Sequence, residues 1–123
     1  MNAAKDKLCL AIRVLLRPVH MEHLWTATGP TPEAMHLRQT GGRSLSRPAR
    51  LLVLAAFDLW NQDGHVDFGE LVYRLEIEHF VPLLSLTLAV KLNAVPLDED
   101  DADAIDEWLA EYDPEARVHP IRH

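Results

Sequence analysis

Apolar residues return at intervals of three and four along most of this chain, the period of a helix with one buried face. Leu8, Ala11, Ile12 and Leu15 follow that spacing within residues 3–17, a segment that Asn2 is placed to cap and Pro18 to end. Arg13 and Arg17 fall four apart on its polar side. Residues 19–28, with Met21, Leu24 and Trp25 as apolar points, predict a second and weaker helix, broken by Gly29 and Pro30. Thr31, Pro32 and Glu33 read as a helix start: a capping hydroxyl, a proline where its missing N–H is harmless, and an acid beside the positive end. That helix is expected to run to about residue 40 and stop at Gly41 and Gly42.

Ser46 then predicts the cap of a long helix with Pro48 in its first turn. Leu51, Leu52, Leu54, Ala55, Phe57, Leu59 and Trp60 cover more than half of its circumference, so it is expected to be the central core helix. Asn61, Gln62, Asp63 and Gly64 signal a turn. Asp67 followed three residues later by Glu70 is a capping-box pattern that opens a helix through Leu71, Val72 and Leu75. Residues 80–90 form the longest apolar stretch and predict a buried helix, with Pro82 in its first turn, reaching about residue 92. A linker over residues 93–97 leads to a last helix over residues 99–112, whose stripe is Ala102, Ile105, Trp108, Leu109 and Tyr112. No run alternates as a strand does. The fold class expected is all-α: one bundle of five or six helices over residues 1–113, with a loose C-terminal tail over residues 114–123. Leu54, Phe57, Trp108 and Leu109 sit on the strongest apolar faces and are expected in its core.

Composition narrows the function classes. At 123 residues the chain has room for one core, with little left for a catalytic cleft and a cofactor domain. Its single cysteine, Cys9, excludes an internal disulfide and a cysteine-based zinc finger, and its place between Leu8 and Leu10 predicts a small core residue. The beginning of the chain does not read as a signal peptide, and the longest apolar run is well short of the ~20 residues that span a bilayer. A cytoplasmic location away from membranes is the expectation. No P-loop, no dinucleotide glycine motif and no nucleophile elbow is present, which points away from catalysis.

The net charge of −7 is unevenly spread. Residues 1–50 hold eight basic groups against three acids, or +5, and residues 51–123 hold four against sixteen, or −12. Such a division marks an interaction surface or two halves that dock on one another. Arg38, Arg43, Arg47 and Arg50 straddle the loop before the long helix, and Asp100, Asp101, Asp103, Asp106 and Glu107 crowd the last one. These nine residues are the candidate interaction surface, the arginines pairing with the acids within one chain or between two. The arginine cluster also admits a phosphate or nucleic-acid reading, but most of the molecule would repel phosphate and no aromatic interleaves the arginines.

One segment carries recognisable chemistry. Residues 54–75 read LAAFDLWNQDGHVDFGELVYRL. Phe57 and Trp60 precede an acid-containing loop, Val66 follows Gly64, Glu70 ends the loop and Leu71 begins a new helix. This resembles the calcium-binding helix–loop–helix of the EF-hand family, in degenerate form and over these residues only. The resemblance implies a metal set of Asn61, Asp63, Asp67 and Glu70, with calcium as the only cofactor. Aligned on Gly64, the first ligand position falls on Leu59, which cannot ligate; aligned on Asn61, two residues of the loop are missing. Calcium takes about 6–8 oxygens at defined spacings, so either departure removes most of the affinity. The same residues also read as a tight helical hairpin, with Asp63 and Gly64 making the turn and Asp67 with Glu70 capping the next helix. His20 and His23, three apart, could share a helix face as half of a metal site, though the sequence names no third ligand.

The expectation is therefore a small non-enzymatic helical adaptor or protein–protein interaction domain, acting on a protein partner or on itself. A calcium-responsive EF-hand relative and a helical module that meets nucleic acid through its arginines are the two alternatives.

Overall fold

The computed structural model describes residues 3–94 and 103–113. Six α-helices make up most of it: α1 (Ala3–Leu16), α2 (Pro32–Gln39), α3 (Arg47–Asn61), α4 (Phe68–Arg74), α5 (Ile77–Ala94) and α6 (Asp103–Tyr112). The only sheet among the described residues is an antiparallel pair, β1 (Trp25–Thr26) and β2 (Gly29–Pro30). The chain is an all-α domain with one small β ribbon.

The caps act much as their residue types dictate. Thr31 Oγ1 accepts from the Ala34 N–H at 3.1 Å. The α2 helix is closed by Gly42, in the left-handed region, whose N–H donates to the Leu37 carbonyl at 2.8 Å. Asp67 Oδ1 accepts from Gly69 N at 2.8 Å and Glu70 N at 3.3 Å. Ser46 has the extended backbone of an N-cap, but its hydroxyl makes no capping bond. Its carbonyl alone enters the helix, accepting from Arg50 N at 2.8 Å.

The core gathers one face of each helix. The α1 helix packs against α3, α5 and α6, and α3 packs against α1, α2 and α5. Ile12, Leu16, Leu51, Leu52, Phe57, Leu86 and Ile105 are fully enclosed. Leu54, Phe57, Trp108 and Leu109 are buried, as their periodicity predicts. Trp108 also fixes the seating of α6, since its indole N–H donates to the Pro82 carbonyl at 2.9 Å.

Three expectations fail for reasons of tertiary context. Residues 19–28 are not a helix. Short 3₁₀ turns at Arg17–Val19 and Glu22–Leu24 lead into β1, with His20 left-handed between them. Trp25 is drawn fully inside, edge-on to Phe57 at 4.9 Å and to Trp60 at 6.2 Å between ring centroids. The ribbon folds back behind it, held by Thr26 Oγ1 donating to the Gly29 carbonyl at 2.9 Å. Secondly, α5 begins at Ile77, on the carbonyl of Glu76, which accepts from His79 and Phe80. Pro82 therefore lies in its second turn, and the helix continues through residues 93 and 94, where a linker was expected. Thirdly, α5 is not a buried helix: one whole stripe of it faces solvent. The expected start of α6 before Asp103, the Asn2 cap and the tail over residues 114–123 lie outside the described residues.

Candidate functional site

The α3–α4 hairpin is organised by a residue to which the sequence pattern assigns no role. Asp58 lies in the last turns of α3, and its carboxylate faces the loop beyond that helix. Oδ1 accepts from the N–H groups of Gly64 and His65, each at 2.9 Å, and Oδ2 accepts from Val66 at 2.9 Å. One charge thus gathers three successive backbone donors. Gly64 is buried because the loop presses onto α3, and a Cβ there would collide with the Leu54 carbonyl oxygen. The turn itself is made by Gln62 and His65, both left-handed, rather than by Asp63 and Gly64. An acid about six residues before a glycine turn is the only sequence signal for Asp58, and it is a weak one.

The four residues aligned with calcium ligands have other partners. Asn61 Oδ1 accepts from Asp63 N at 3.1 Å. Asp63 pairs with Arg38 at 3.0 Å. Asp67 caps α4. Glu70 does not complete the capping box, because both its oxygens face Arg50 Nη2, at 3.3 and 3.2 Å. No group of three or more His, Cys, Asp or Glu side chains among the described residues is arranged to hold a metal. His20 and His23 are both exposed, and His23 lies 3.8 Å from Glu33.

Among the described residues of one chain, no ion pair joins the basic edge to the last helix. Arg38 of α2 is matched by Asp63 of the hairpin loop, and Arg50 of α3 by Glu70 of α4. Arg43 and Arg47 are exposed and form no ion pair among the described residues. Asp106 instead pairs with Lys7 of α1 at 2.7 Å, and Glu107 is exposed. Asp103 opens α6, while Asp100 and Asp101 lie outside the described residues. Arg13 and Arg17 converge on Glu22, at 4.0 and 3.3 Å, and Arg17 also reaches Asp113 at 3.6 Å. Cys9 is fully enclosed, and burial, assisted by the nearby Asp6 charge, pushes its thiol up and away from the nucleophilic thiolate.

What the fold leaves conspicuous is apolar. On α5, Ile77 (75% exposed), Val81, Leu84, Leu88 (60%) and Leu92 form a continuous solvent-facing stripe. On α4, Phe68 (68%), Val72 and Tyr73 (87%) are exposed as well. Between these helices lies a groove of about 200 Å³, lined by Leu59, Val66, Phe68, Phe80, Leu83 and Leu84. Phe68 and Leu84 therefore border one depression rather than standing apart. On its other flank, α5 meets α6 across a shallow channel edged by Glu107 and Glu111. A larger open concavity beside His36, Thr40 and Arg43 gathers no such apolar surface. No helix among the described residues is long and apolar enough to cross a membrane. Comparisons with protein-family models, with curated proteins and with solved structures find no match for this chain.

Proposed function

We propose that this protein is a non-enzymatic helical interaction module that binds protein through the apolar face of α4 and α5. The single observation that carries the reading is the run of eight large apolar side chains left in water on two successive helices. They stand on neighbouring helices that share a groove bordered by Phe68 and Leu84, and an exposed apolar surface that is contiguous marks an interaction site. Single exposed leucines are ordinary on protein surfaces; a stripe along about four turns of one helix, continued by an aromatic-edged groove, is not.

The charge pattern supports the same reading by elimination. Calcium bound in the hairpin would have to displace Arg38 from Asp63 and Arg50 from Glu70, so calorimetric titration with calcium is expected to show no micromolar site. A micromolar affinity abolished by Glu70→Ala would favour the EF-hand alternative instead. Two of the four arginines of the basic edge are likewise matched by acids, which weakens a phosphate-binding role for it.

A photo-cross-linking amino acid at position 88 tests the reading in the living cell. Adducts of discrete mass are expected from position 88, absent from the exposed position 35 on α2, and lost when Leu84→Glu is added. The absence of any protein adduct at position 88 would overturn it.

A further inference from the structure

We propose that the occupant of this face is a second copy of the chain, paired antiparallel through α5. The pairing rests on the α4–α5 face being an interaction site and names its partner.

The spacing of the stripe comes first. Ile77, Val81, Leu84, Leu88 and Leu92 follow one another at intervals of four, three, four and four, so all five stay on one face of a helix whose turn is ~3.6 residues. Laid antiparallel about the level of Leu84 and Ser85, the stripe matches itself. Leu84 meets the partner's Leu84, Val81 meets the partner's Leu88, and Ile77 meets the partner's Leu92. No charged residue lies between His79 and Val90, so the middle of the seam carries no charge.

Direction is set by the ends. Glu76 and Glu78 stand at the beginning of α5 and Lys91 near its end. Antiparallel pairing brings the Lys91 level of one helix to the Glu78 level of the other and opposes the helix dipoles. Parallel pairing would stack acid on acid and lysine on lysine.

The apolar surface is not confined to α5, since Phe68, Val72 and Tyr73 of α4 are exposed as well. Phe68 and Val72 lie four apart on one face of α4, and Phe68 borders Leu84 across the groove, so α4 widens the seam on that side.

Electrostatics then set the salt response. Each copy carries a net charge of −7, and the twofold arrangement places the two α6 rims, edged by Glu107 and Glu111, alongside the seam. Like charges oppose the pairing while apolar contact drives it. Association should tighten as salt rises, because screening removes the opposing term.

Sedimentation equilibrium of the full chain across protein concentration, at low and high salt, tests the pairing. A monomer–dimer equilibrium that tightens with salt is expected. Leu84→Glu, which brings two carboxylates together at the axis, should weaken it at least ~100-fold, with an unchanged helical spectrum showing that the variant is folded. Direction is read by disulfide formation in a Cys9→Ala background. Leu84→Cys should cross-link to itself, and Ile77→Cys should cross-link only when mixed with Leu92→Cys. Self-cross-linking of Ile77→Cys would overturn the antiparallel register. A chain that stays monomeric at every concentration and salt would overturn the second copy as occupant. In that case an adduct from position 88 to a different protein leaves the interaction reading standing, and no adduct at all removes both.

Discussion

Among the described residues the helices α3 and α5 are the two longest, and both are rich in leucine, valine and alanine. Their surroundings differ. From Leu51 to Phe57 every residue of α3 is buried, whichever way it points. In α5, among the residues whose burial is described, Leu83, Leu86 and Ala89 are buried, while leucines at 84, 88 and 92 stand in solvent. The difference lies in the neighbours rather than in the helices. The α3 helix is wrapped by α1, α2, α5 and the hairpin loop, which presses Gly64 onto the Leu54 carbonyl. The α5 helix has α1 and α3 on one side and α6 on another, and among the described residues nothing covers its remaining side. Apolar content measures what a segment gains by leaving water, and the fold decides whether that gain is realised within the chain. Where a strongly apolar helix is left half in water, the missing contact is the functional clue.

This contrast can be broken at either helix. Phe57→Ala removes an enclosed ring that packs edge-on against Trp25 and lies 5.7 Å beneath the Arg38 guanidinium, and it should cost about 3–5 kcal/mol in urea unfolding. An unmoved unfolding midpoint would show that α3 is not the core it is taken to be.

The loop that completes the cover of α3 depends on Asp58. Asp58→Ala leaves three backbone N–H groups without their acceptor and should cost ~3 kcal/mol, the scale of a charge-assisted hydrogen bond whose partners are stranded. If the variant unfolds like the parent, the carboxylate does not hold the loop against α3.

At the start of α4 the two acids should separate. Asp67→Ala removes the cap and is expected to lower stability by about 1 kcal/mol. Glu70→Ala removes a part-exposed ion pair and should cost about 0–1 kcal/mol, a loss that disappears in an Arg50→Ala background. A Glu70 effect that persists without Arg50 would restore the reciprocal cap.

The smallest effect belongs to α5. Leu88→Ala shortens a side chain that is mostly in water, so the stability of the isolated chain should move by no more than about 0.5 kcal/mol, measured at concentrations below association. A loss comparable to that of Phe57→Ala would mean that α5 is covered from within.

By itself the sequence determined what depends on a few neighbouring residues. Thr31 with Pro32, Asp67 and the Gly41–Gly42 stop placed helix ends, because a cap is closed by a side chain and a backbone group a few positions apart. The stripes through Ile12, Phe57, Trp108 and Leu109 identified inward faces, since periodicity is a local property. Only the tertiary structure decided the rest. Residues 19–28 became a ribbon because Trp25 found Phe57 and Trp60, which lie more than thirty positions away in the chain. Arg38 and Arg50 of the basic edge met Asp63 and Glu70, because ion pairs form between whatever charges packing brings within reach. The exposure of α5 was hidden for the same reason. A leucine reads identically whether its neighbours are core or water, and the set of helices around α5 exists only once the chain has folded.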